Sequence, residues 1–267
     1  DFSGCMDIAM GFSGILGIQL DYNFRQPYFS QSVAEFWRRW HISLCSWFRD
    51  YLFYSLSMSK LMKNFGKKLK GKYPKAAVDL PIYLSTMVVW SLTGLWHVAS
   101  WPYVLWGVFN GIIMVFSLQF EGAYSTVKSK LHINDKSKLW QFFRIIRTYL
   151  IMTVLNFMCE FSTMGSFIDC IKRVCVNPLP HGFSPSYILP LLMDKGILAV
   201  LMIFVSCILL LLYDIGEEAC GTGEVINKMC SRSWLIRGAL MLILSMLIIL
   251  LTHNSADFSG GFMYAQF

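Results

Sequence analysis

The chain has 267 residues, 55% of them hydrophobic and only 15% charged, against about 25% charged in a soluble domain. Mean hydropathy is +0.51 and the net charge is +7. These values exclude a soluble globular domain and a disordered chain, and leave a single membrane unit over residues 1–267 with most of its surface in lipid.

Residues 4–20 are apolar, with Ala9, Ser13 and Gly17 four apart, a spacing that lets helices approach closely in lipid. The polar segment 21–27 follows and reads as a turn. From Ser32 to Leu56 the pattern predicts a helix that mixes Phe36, Trp37, Trp40, Trp47 and Phe48 with Glu35, Arg38, Arg39, His41, Arg49 and Asp50. That mixture is too polar for a plain span. It suits an interfacial or re-entrant helix, or one lining a wet cavity. Glu35 reaches Arg38 and Arg39 at i+3 and i+4.

Lys60, Lys63, Lys67, Lys68, Lys70, Lys72 and Lys75 then follow without an intervening acid. Such a run can mark a nucleic-acid patch, but between membrane helices it reads as a cytoplasmic loop, so no nucleic-acid partner is expected. Leu80 to Phe120 is 41 residues without Asp, Glu, Lys or Arg. A span needs about 20 residues, so this stretch predicts two helices turning at Ala99-Ser100-Trp101-Pro102. Further spans are predicted at 140–159, 196–213 and 234–252, with Arg144 and Arg147 snorkelling from the first of these. The fold class is therefore all-α, a polytopic membrane helical bundle. It has about five spanning helices besides the N-terminal apolar and interfacial or re-entrant ones. Orientation follows from the lysines: 60–75 and 121–139 inside, 99–102 and 161–193 outside. The expected location is the plasma membrane, multi-pass, in contact with lipid.

Ionisable groups at membrane depth are costly and mark functional candidates. His97 lies within the charge-free stretch, and a neutral imidazole there can take a proton from an attacking hydroxyl and return it to a leaving group. The alternative is a histidine that only hydrogen-bonds a neighbouring helix. His41 stands among Arg38, Arg39 and Arg49. Those arginines either grip lipid phosphates or form a basic wall for an anionic donor, since the guanidinium fork suits phosphate. Cys45, four residues on, is a less favoured nucleophile. His132, His181 and His253 fall in loops or at a helix end. The eight cysteines show no CxxC pair and no zinc spacing, so no metal is expected, and Cys170 and Cys175 can pair if their loop is outside. No P-loop, GxGxxG, HExxH or GxSxG occurs.

Four stretches together carry a pattern: 1–11 (DFSGCMDIAMG), Glu35 to Leu44 (EFWRRWHISL), Trp47 to Leu52 (WFRDYL) and Leu92 to His97 (LTGLWH). In this order they resemble the membrane-bound O-acyltransferase family, nearest to its alginate O-acetylation branch and more distantly to teichoic-acid D-alanyl transfer. The ending Phe262 to Phe267 resembles that branch as well. Val98-Ala99 stands where relatives carry Gly-Ala, Asn110-Gly111 where a second His-Gly is usual, and the later W-x-F-F-R-A pattern is blurred at 156–160.

The resemblance implies a polytopic enzyme with a tunnel through its bundle. Such an enzyme takes an acyl group, most simply acetyl, from a cytoplasmic thioester donor, acetyl-CoA or an acyl carrier, and holds no bound cofactor. The acceptor is a hydroxyl of an extracytoplasmic cell-envelope polysaccharide, or of a partner acetyltransferase. His97 and His41 are the active-site histidines it implies. Arg38, Arg39, Arg49, Asp50, Trp40, Trp96 and Asn110 are expected on the donor side. It also implies that the chain is the C-terminal part of a longer acyltransferase. Two other readings stay open: a transporter or channel with His97 as a proton relay, and an inactive truncated scaffold.

Overall fold

In the computed structural model, residues 2–176, 190 and 197–254 are described, and they contain helices and turns with no strand. The chain divides into two units, Pro27–Val176 and Asp1–Gln26 with Asn177–Phe267.

In Pro27–Val176, α2 (Val33–Arg39) and α3 (Ile42–Trp47) are short, and a π-helical turn, Phe48–Phe53, leads into α4 (Tyr54–Ser57). The basic α5 (Lys60–Lys70) precedes the long hairpin of α6 (Pro74–His97) and α7 (Trp101–Gln119). Then come α8 (Glu121–Lys130), α9 (Lys138–Phe157) and α10 (Met164–Val176). Helix starts follow local chemistry. The Ser32 hydroxyl accepts from the Glu35 N–H at 3.1 Å, and the Glu35 carboxylate accepts from the Gln31 N–H at 2.9 Å, a capping arrangement that holds α2. Ser59 caps α5 at Met62 N–H. Pro74 and Pro102 sit in first turns, where the missing N–H has no intrahelical partner to lose.

Three described helices are long and apolar enough to cross a membrane: Pro74–His97, Trp101–Gln119 and Lys138–Glu160. At 1.5 Å per residue, the 24 residues of α6 reach about 36 Å, enough for the hydrocarbon core. The protein is membrane-bound. The predicted turn at 99–102 is present, with Ser100 at the N-cap position of α7. The hairpin closes on glycine. A Cβ on Gly94 would strike the Tyr103 carbonyl, one on Gly107 the Trp90 carbonyl, and one on Gly111 would lie 3.1 Å from the Trp90 Cβ. Gly107 and Gly111 form a GxxxG stripe, the spacing that lets two helix backbones touch where lipid supplies no hydrophobic drive.

The core of this unit joins α2 to α7 and α9 through Val33, Phe36, Trp37, Trp106, Met152, Leu155 and Met158. Asn110 is wholly buried. Its Oδ1 accepts from Trp37 Nε1 at 3.1 Å, and its Nδ2 donates to the Trp106 carbonyl at 2.9 Å. Trp106 Nε1 in turn donates to Asn156 Oδ1 at 3.0 Å, so both amides serve indole donors that burial would otherwise leave unmet.

The other unit contains α1 (Phe2–Ile15), α11 (Ile197–Cys220), α12 (Glu224–Cys230) and α13 (Trp234–Asn254). The last two spans expected from sequence are thus helical, the first of them running on to Cys220. Glu217 is buried and accepts from the Gly223 and Val225 N–H groups, placing a carboxylate at the start of α12.

Several expectations change. The helix expected over Ser32 to Leu56 is broken at His41. The lysine run is mostly helix α5 rather than loop. Ala9, Ser13 and Gly17 do not share one helix face, because Gly17, at φ +77°, lies beyond the end of α1; no atom of the described residues comes within 4 Å of where its Cβ would be. Arg147 donates to the Gln31 carbonyl at 2.9 Å, and Arg144 lies 4.0 Å from Asp135. Cys170 and Cys175 share α10 as free thiols. His181 and the ending Phe262 to Phe267 lie outside the described residues, as does the side chain of His253.

Candidate functional site

Trp40 leaves α2 in extended conformation, and His41 follows at φ 47°, ψ 53°, in the left-handed region. For a non-glycine residue this costs about 1–2 kcal/mol, and such strain persists where the surroundings enforce it. The turn stops α2, starts α3 and places the His41 ring in a cavity of about 550 Å³. The π-helical turn that follows brings Phe48, Arg49 and Phe53 to the same cavity; an extra residue per turn often accompanies functional sites.

The opposite wall is one face of α6. Thr86, Val89, Trp90, Thr93 and His97 all line the cavity, spaced as a helix stripe requires. Thr86 and Thr93 donate to the Ile82 and Val89 carbonyls at 2.9 Å each, which leaves their oxygens as acceptors toward the space. His41 and His97 therefore face one cavity from two elements distant in sequence. Trp96 lies edge-on to both rings, with centroids 6.5 Å from His41 and 4.8 Å from His97. Trp106 meets His97 edge-to-face at 5.4 Å and 88°.

Burial holds the His41 ring well below its ordinary 6.5, at about 4, with the neighbouring His97 adding to the effect. His41 is thus neutral at pH 7 and able to accept a hydrogen bond or a proton. Burial also pushes the Cys45 thiol up to about 11, and its Sγ lies 3.5 Å from the Trp40 carbonyl. A protonated thiol is a poor nucleophile, so the cavity favours imidazole over thiolate chemistry.

Other candidates separate by position. Arg38 and Arg49 are exposed and line the cavity, making a cationic rim, and Trp40 lines the wall, stacked on Phe36 at 5.6 Å. Asp50 is exposed outside the lining and binds Arg49 at 2.8 and 3.3 Å. Arg39 does not line the cavity and pairs with Glu35 at 2.7 Å. Trp96 is 55% exposed and buttresses the histidines from outside. Asn110 does not reach the cavity; it is the core amide between Trp37 and Trp106. Among the described residues no group of three or more His, Cys, Asp or Glu is placed to hold a metal.

Sequence reasoning passed over the Thr86–Trp90–Thr93 face and the Trp37–Asn110–Trp106 buttress. The first was recoverable from the i, i+4, i+7, i+11 spacing that ends on His97. The second has no local signature, because it joins residues 73 apart.

No family model matches the chain. Among curated proteins, it is 36% identical over 130 residues to "Probable alginate O-acetylase AlgI" of Azotobacter vinelandii, covering 48% of this chain and 23% of that protein. It is 29% identical over 201 residues to the peptidoglycan O-acetyltransferase of Helicobacter pylori, covering 68% and 34%. It is 38% identical over 117 residues to the teichoic acid D-alanyltransferase of Streptococcus thermophilus, covering 44% and 26%. The chain thus spans about a quarter to a third of the length of these relatives.

Proposed function

The chain is a relative of the membrane-bound O-acyltransferases, and we propose that it carries the catalytic cavity of such an enzyme. The reaction moves an acyl group, most simply acetyl, from a cytoplasmic thioester to a hydroxyl of a cell-envelope polymer or of an extracytoplasmic acetyltransferase partner. The observation that carries this reading is that His41 and His97, the histidines of two motifs, line one cavity.

In the proposed chemistry the acceptor hydroxyl approaches the thioester carbonyl within the cavity. His97 takes the hydroxyl proton as the new C–O bond forms and the carbonyl electrons move onto oxygen. When the tetrahedral species collapses, the C–S bond breaks and His97 returns the proton to the departing sulfur. Atoms and charge balance without a metal or bound cofactor. His41 faces the acyl group from the other wall as a neutral ring. Arg38 and Arg49 meet the anionic part of the donor at the rim, where a guanidinium binds phosphate with two donors. The aromatic walls exclude water, which would otherwise hydrolyse the thioester.

The test measures thioester consumption and polymer O-acylation in membranes carrying the protein, its His97→Gln variant or its His41→Gln variant. Glutamine keeps a hydrogen-bonding group of similar reach but cannot take the proton. Loss of a positioned base costs typically 10²–10⁴-fold, so His97→Gln should be inactive at an unchanged membrane level. Substantial turnover by that variant would overturn the general-base role. Proton flux without thioester consumption would favour the transporter reading instead.

A further inference from the structure

The end of the α6–α7 hairpin remote from His97 carries a second cavity, of about 540 Å³, between the start of α6 and Gln119, the last residue of α7. Its lining includes Lys72, Lys75, Tyr73, Asp79, Tyr83 and Gln119. Lys72 lies over the Tyr73 ring at 5.3 Å, and the Tyr83 hydroxyl donates to Gln119 Oε1 at 2.8 Å. The cavity offers two cations and a set of hydroxyl and amide groups beside the apolar Leu80.

Helix α5 belongs to the same end. Pro81 has no N–H to give the Ala77 carbonyl, and Gly66 fills that place: a Cβ there would lie 2.6 Å from this oxygen. Met62 is buried on the same side. At 100° per residue, Leu61 and Phe65 fall beside this face, and they are 70% and 36% exposed. Lys60, Lys63, Lys67, Lys68 and Lys70 occupy the remaining arc and are all exposed. One flank is apolar and uncovered, the next is cationic, and no acid occurs between Lys60 and Asp79. A helix so built lies in a membrane interface, apolar flank toward the acyl chains and ammonium groups at headgroup level.

We infer that α5 and the adjoining cavity at Lys72 and Lys75 form a binding site for anionic phospholipid, with the lipid phosphate on the lysines and the glycerol on Tyr83 and Gln119. Charge decides the ligand class, because a zwitterionic headgroup gains little from a cluster of seven lysines. Asp79 weakens a bare phosphate more than it weakens a headgroup whose hydroxyls it can accept from.

The experiment needs no acyl transfer, so its failure is independent of the proposed reaction. The full chain is released from nanodiscs of mixed phosphatidylglycerol and phosphatidylcholine, and the lipids it retains are counted by native mass spectrometry. The expected result is selective retention of phosphatidylglycerol, falling with added salt and insensitive to glycerophosphate. Lys72→Gln with Lys75→Gln should lower that selectivity by about 30-fold, while the Arg pair at the same positions keeps it. Leu61→Ser with Phe65→Ser should reduce retention of both lipids and leave glycerophosphate without effect. Equal retention of the two lipids by the unaltered chain would overturn the site. So would competition by glycerophosphate, which would mean a soluble anion, or capture of an acidic protein in place of lipid.

Discussion

Replacing Asn110 by Leu keeps the side-chain volume near constant and removes both of its bonds. The two losses are unequal. The Trp106 carbonyl still accepts the helical N–H of residue 110, so losing the amide donation costs it little. Trp37 Nε1 has no second partner among the described residues, and Trp37 is only 9% exposed. Leaving a buried donor unmet costs about 1–3 kcal/mol, and Asn110→Leu should therefore destabilise the unit by about 2 kcal/mol. The assay is the unfolding midpoint in detergent or nanodiscs, read by near-ultraviolet circular dichroism, which reports indole environments. Trp37→Phe removes the donor but strands the Asn110 oxygen, so it should also destabilise. The double variant should cost less than the two singles together, with a coupling of about 1 kcal/mol. An Asn110→Leu midpoint unchanged within error, or strictly additive costs, would refute the buttress.

Other consequences follow from the same geometry. The folded His41 ring holds its proton at about 4 against 6.5 in the unfolded chain, so the unfolded state takes up the proton first as pH falls. Stability from the neutral ring is then complete above pH 6.5 and lost between 6.5 and about 4; a midpoint that does not fall more steeply than in His41→Gln over that window would count against it. Gly107→Ala should cost about 1–3 kcal/mol by forcing α6 and α7 apart, whereas Gly122→Ala, with open space around it, should stay within about 0.5 kcal/mol in the same unfolding assay. In a cysteine-free background, Lys67→Cys should resist an impermeant thiol reagent in intact cells and Lys172→Cys should react; the reverse pattern would invert the topology.

The apolar runs made the long helices legible, because length and absence of charge define a span without any tertiary knowledge. Pro102 and the motif around His97 likewise placed the hairpin turn and one ring of the site. The segment around His41 reads as a mixture of aromatic rings and charges but not as a shape. Its periodicity continues through residue 41, and only packing of Trp40 against Phe36 and of His41 into the cavity makes the left-handed break tolerable. Asn110 is the opposite case. A polar residue in an apolar helix reads as functional, yet here the Trp37 indole and the Trp106 carbonyl claim it. The lysine run reads as a loop because charge obscures helix; the pairing of Gly66 with the carbonyl freed by Pro81 is a contact that no local pattern announces.

The glycine-to-backbone seam of the hairpin divides the molecule by how freely it can vary. At Gly94 and Gly107 the partner is a carbonyl, so no compensating change in a neighbour can make room for a side chain. Thr86, Thr93 and Met114, by contrast, reach the cavity as side-chain tips on the helices that this seam locks together. A library confined to those three positions should resize the chamber without moving His97, which makes them the natural starting points for testing, under the proposed acyl transfer, whether the chamber sets which acyl groups are accepted.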